Sequence, residues 1–143
     1  MSNVSTSKGF NLRKAYGFDK NKLENGYELV LGEGASVTIR SGRHPLCRNA
    51  FMVANKKYAP ELNSADDAVK EQAYVNLWAD VLADTGIISW KGIVDDEGNE
   101  LAFSPQTARE LLVELEDFRN EVFAAAQDRS RIAYDKVDAV TKN

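Results

Sequence analysis

The chain is poor in the residues that build covalent staples and metal centres, with a single cysteine, Cys47, and a single histidine, His44. One cysteine excludes a disulfide within the chain and any cysteine-pair zinc site. A zinc site assembled mostly from carboxylates would suit that ion poorly, so neither a metal nor a cofactor is expected. No apolar run approaches the roughly eighteen residues from which a membrane-spanning helix is recognised. Met1 to Gly9 is polar, rich in Ser, Asn and Thr, and lacks the apolar stretch of a secretion signal. The expectation is a protein that stays in the cytoplasm of whichever cell makes it.

What is present is ordinary for a folded domain. With 43% apolar and 28% charged residues in 143, the chain is long enough to bury one hydrophobic core and neither disordered nor membranous in composition. The charge is uneven. Met1 to Pro60 carries ten Lys/Arg against four Asp/Glu, and Glu61 to Asn143 carries eight against eighteen. Such polarity suits head-to-tail self-association or a partner with a charged face of its own.

Residues 1–26 read as an arm, with Phe10, Leu12, Tyr16 and Phe18 spaced irregularly before the turn signal Asn25-Gly26. Some of these aromatics are expected to dock on the body. A single α+β domain is expected over 27–136, with a tail at 137–143. It opens with a hairpin, Tyr27–Leu31 and Ser36–Arg40 around Gly32-Glu33-Gly34-Ala35. Four helices make up the body. Pro45 suits the first position of one, and Cys47, Ala50, Phe51 and Ala54 form its stripe. Pro60 to Ser64 reads as a loop, with Asn63 or Ser64 as a cap for a long helix over 65–83. In that helix Tyr74, Trp78, Val81 and Leu82 face inward, Asn76, Asp80 and Asp84 form a polar row, and Gly86 is a stop.

A short second hairpin or β-like loop is expected over 87–103, around the acidic turn Asp95-Asp96-Glu97-Gly98-Asn99. Ser104-Pro105 marks another helix start, with Ala108, Leu111, Leu112 and Leu115 inward. A last helix over 117–135 places Phe118, Val122, Ala125 and Ala126 inward, with Arg129, Arg131 and Lys136 near its end.

The chemical motifs are weak. The acids of the 95–100 turn lack the alternating register of a calcium loop and read as a solvated turn. His44 beside Ser41 or Cys47 lacks a nucleophile elbow and an orienting acid, and is more simply a helix cap. Gly32-x-Gly34 falls short of a nucleotide fingerprint. No catalytic residue is assigned, and the chain is not expected to be an enzyme. Arg40, Arg43, Arg48, Lys56 and Lys57, interleaved with Phe51 and Tyr58, make a modest basic patch. The sequence pI near 5.1 argues against nucleic acid as its partner and favours an acidic protein surface or a second copy. Trp90, two residues before Gly92 and outside any helix, is either core or an interface anchor.

The order of these elements carries a resemblance. Val37-Thr38-Ile39-Arg40-Ser41 leads into Arg43-His44-Pro45-Leu46-Cys47-Arg48-Asn49-Ala50. Later comes Ile88-x-Trp90-x-Gly92-Ile93-x-Asp95-x-x-Gly98-x-x-Leu101-x-Phe103-Ser104, then Leu111-Leu112 and Phe118-Arg119-x-x-Val122. Over Tyr27 to Ile132 this pattern resembles tail assembly chaperones of long-tailed bacteriophages. It departs from them at His44, where Asn is more typical, and in the length of the arm.

The resemblance implies a non-enzymatic factor in the host cytoplasm. Such a factor binds the tape-measure protein and keeps it soluble while tail-tube protein is recruited. The alternative is a structural virion protein of the tail or head–tail connector. A chaperone for a helical tape measure needs an apolar groove. The residues expected to meet a partner are Arg40, Arg43, Arg48, Phe51, Trp90, Ala125 and Ala126.

Overall fold

Hydrophobic alternation and a primed turn set the central feature, a three-stranded antiparallel sheet. The computed structural model describes residues 9–134, so the expected tail at 137–143 and Lys136 lie outside the described residues. Strands β1 (Tyr27–Gly32) and β2 (Ala35–Ile39) pair with Tyr27 opposite Ile39 and Leu29 opposite Val37. Glu33 and Gly34 both take positive φ, 50° and 80°. That geometry matches the twist of the flanking strands. Strand β3 (Ile87–Lys91) lies on the other side of β2, with Val37 opposite Trp90. The centre of the sheet is therefore β2, and Val37 and Ile39 are fully buried.

The 87–103 segment divides in two. Its apolar start joins the first hairpin as a third strand rather than pairing with its own continuation. The remainder is a loop closed by one bridge, Val94 with Glu100, and by the Leu101 N–H donating to the Ile93 carbonyl at 2.8 Å. Gly92 makes the change of direction at φ 73°, where a Cβ would meet the Gly34 carbonyl oxygen at 2.5 Å.

The helices are α1 (Leu12–Tyr16), α2 (Lys20–Asn25), α3 (Pro45–Lys57), α4 (Ala59–Leu62), α5 (Asp67–Val81), α6 (Pro105–Glu114) and α7 (Glu116–Gln127). The expected loop at 60–64 thus contains a turn of helix, and Asp66, not Asn63 or Ser64, caps α5 by accepting from the Ala68 N–H. A wider, π-type turn over Leu82–Gly86 ends that helix and feeds β3 directly.

Tyr74 is 56% exposed, which corrects the expected inward face. The buried side of α5 runs through Ala73, Leu77 and Val81. Ser104 caps α6, accepting from the Thr107 N–H at 3.1 Å, with Pro105 following. α7 stops at Gln127 instead of 135, because Asp128 turns its carboxylate onto the Ser130 N–H and opens a short 3-10 turn.

The sheet packs on α6, α7 and the end of α5 through Leu29, Ile39, Leu82, Ile87, Leu112 and Val122. A smaller cluster of Ala54, Leu77 and Val81 joins α3 to α5. Each such aliphatic side chain contributes about 1.5–3 kcal/mol by leaving water. The arm is tied on at Phe18, whose ring lies under both Arg43 and Arg129, at 5.3 and 5.2 Å. The Asp19 N–H donates to the Ile132 carbonyl at 2.7 Å. Phe10, Leu12 and Tyr16 stay exposed.

Candidate interaction groove

α3 crosses the end of α5 without closing on α7, and the gap is an open apolar groove of about 780 Å³. Trp78, Val81 and Leu82 from α5 and its terminal turn form the floor, with Phe123 and Ala126 from α7. Cys47, Phe51 and Met52 of α3 form the facing wall. Three rings run across it. Phe51 lies 5.3 Å from Trp78, and Trp78 meets Phe123 edge-on at 4.7 Å. The lip is apolar as well, since Met52, which lines it, is 62% exposed. The polar lining residues include Arg48, Asn49 and Gln127, and none is acidic.

The sequence-derived partner residues fall into two groups. Arg48, Phe51 and Ala126 line the groove. The others are occupied elsewhere. Arg40 ties the sheet to the π-type turn, donating from Nη1 to the Thr85 carbonyl at 2.6 Å while its Nε is buried without a partner. Arg43 covers Phe18. The Trp90 indole donates to the Leu101 carbonyl at 2.8 Å, and its ring meets Phe103 edge-on, which fixes the 93–103 loop over the core. Ala125 sits in the main core with only 5% of its surface exposed. Its carbonyl accepts from the Tyr27 hydroxyl at 2.6 Å, and burial is the main cause that pushes that phenol up to about 12.

His44 is the N-cap of α3, its Nδ1 accepting from the Leu46 N–H at 3.0 Å. The Cys47 thiol is held above its ordinary pKa by burial. In the acidic turn, one oxygen of Asp95 accepts from the N–H groups of Glu97 and Asn99, at 3.0 and 2.9 Å. None of the described helices is long and apolar enough to cross a membrane.

Sequence reasoning placed Trp78 in the core and passed over Met52 and Phe123. A signal was present: Met52 is apolar yet falls off the Cys47–Ala54 stripe of α3. Also passed over was the clasp at Asp80, which accepts from the Tyr58 hydroxyl at 2.6 Å and from Arg109, with Lys57 at 3.4 Å.

The family described as YdaY prophage protein has a model that matches residues 43–143, from just before α3 and including every groove-lining residue except Gly42. That description points to a prophage and does not mention tail assembly. No curated protein and no solved structure matches the chain.

Proposed function

The chain belongs to the YdaY prophage protein family, and from that premise we propose that it is a non-enzymatic tail assembly chaperone acting in the host cytoplasm. It binds the tape-measure protein and keeps it soluble while tail-tube protein is recruited. The observation that carries this reading is the open apolar groove between α3, α5 and α7, with an exposed lip at Met52. A helical tape measure exposes apolar stripes before its tube closes around it, and a groove of this kind accepts a helix face. The motif order over Tyr27 to Ile132, with its likeness to tail assembly chaperones, supports the same role.

Co-expression with tape-measure segments tests it. The chain should hold an otherwise insoluble segment in solution and co-purify with it. Absence of both rescue and co-purification removes the reading. A second reading, a structural component of the tail or connector, draws on the exposed Phe10, Leu12 and Tyr16 of the arm, which suit a contact between subunits. Stoichiometric recovery of the chain in purified particles would favour that role over the first.

A further inference from the structure

Taking as given the reading of the groove as a docking surface, we propose that it accepts a single amphipathic helix whose apolar stripe is bordered by acidic side chains where it meets Arg48. The floor supplies apolar contact through Trp78, Phe123 and Leu82, and the one charged side chain in the lining is a cation, Arg48. Arg48 lines the groove and has no ion-pair partner among the described residues. α3 presents its N-terminal turn there, and that turn contains no acidic residue to offset the positive end of the helix dipole.

Side chain and backbone therefore make the same end of the groove positive. Residues 61–143 carry an excess of acid, ten more Asp/Glu than Lys/Arg. A partner's carboxylates are thus welcome at this end and repelled over much of the remaining surface, which fixes the direction in which a helix lies. The thirteen residues of α3 give the wall a length of about 20 Å. That matches a partner stripe repeating at i, i+4, i+7 and i+11.

The chain's own arm is the wrong occupant. It offers Phe10, Leu12 and Tyr16, but Arg13 and Lys14 would set like charge against Arg48.

The test uses the full chain and two synthetic helical peptides of about four turns, with identical Leu stripes flanked by Glu in one and Lys in the other. Fluorescence anisotropy should show the Glu-flanked peptide binding about tenfold more tightly at low salt, with the gap narrowing as salt screens it. Arg48→Glu should reverse the preference. Met52→Asp, at an exposed position, should weaken both peptides while leaving the fold intact.

Equal affinities, tighter binding of the Lys-flanked peptide, or no effect of Met52→Asp overturns the proposal. So does a self-associated chain that Met52→Asp dissolves, which would assign the groove to a second copy. If the Glu-flanked peptide binds as expected but no tape-measure segment is rescued, the chaperone reading falls and this one stands. Rescue with neither peptide bound does the opposite.

Discussion

Replacing Asp80 should loosen the junction of three helices. Its carboxylate, on α5, accepts from Tyr58 just after α3 and from Arg109 on α6, with Lys57 at 3.4 Å. Burial by itself would raise its pKa, yet the hydrogen bonds from Tyr58 and Arg109 and the nearby positive charges outweigh it and hold the group below the ordinary 3.8. A carboxylate depressed in the folded state stabilises that state above the ordinary pKa, and the contribution disappears as pH falls through the lower folded value.

Hydrogen bonds to a charged group are worth about 1.5–3 kcal/mol. Arg109 is 41% exposed and Lys57 63%, so both rehydrate when the acid is removed, and their ion pairs add at most about 1 kcal/mol. The part-buried Tyr58 contact dominates, and Asp80→Ala should cost about 2 kcal/mol at pH 7. Asp80→Asn, which keeps an acceptor for Tyr58, should cost about half that. With a urea dependence of about 2 kcal/mol per molar, the Ala variant unfolds at a midpoint lower by about 1 M. The gap to the parent chain should close below about pH 4. A gap under about 0.5 kcal/mol at neutral pH, or one that widens in acid, refutes the clasp.

Two further perturbations separate core from surface. Leu112→Ala removes a fully buried side chain between sheet and helices. It should cost about 2–5 kcal/mol by urea denaturation, with little change at the groove. Phe18→Ala removes the ring held under Arg43 and Arg129. Limited proteolysis with mass spectrometry should then show faster cleavage within residues 9–17 and an unchanged body, and an unaltered cleavage rate would show that Phe18 does not anchor the arm.

Local chemistry was legible wherever a residue acts on its own neighbours. His44-Pro45 and Ser104-Pro105 set helix starts through a side-chain acceptor and a fixed φ, and both lie where the pattern placed them. The first hairpin was legible because its alternation and its glycine turn agree. What needed the fold was pairing at a distance. Nothing local to Ile87-Ile88-Ser89 indicates that its partner is β2, about fifty residues earlier, instead of the segment that follows. Tyr74 misled for a similar reason. Its helical spacing with Trp78 is correct, but α4 and α3 cover the Ala73–Leu77 side of α5, which depends on how three helices cross. Of the expected partner residues, Arg48 and Phe51 share the groove because both lie on α3 within one turn. Arg40 and Trp90 had exposure-neutral sequences, and their roles came from carbonyls supplied by the π-type turn and by the loop that follows β3.

The composition of the groove bears on how selective it can be. Its floor is held by the core: Phe123 follows Val122 on a helix whose inner face is fully packed, and Trp78 is fixed edge-on against it. The lip opposite is Met52, exposed and unbranched, with a side chain free to follow whatever lies against it. A rigid aromatic floor sets the depth to which a helix can sink, and a pliable lip tolerates differences in the side chains along it. In the proposed docking role, such a site would discriminate by charge and by helical form more than by residue identity. It suits a partner that presents many similar stripes along its length, since one chain can then bind at successive positions with comparable affinity.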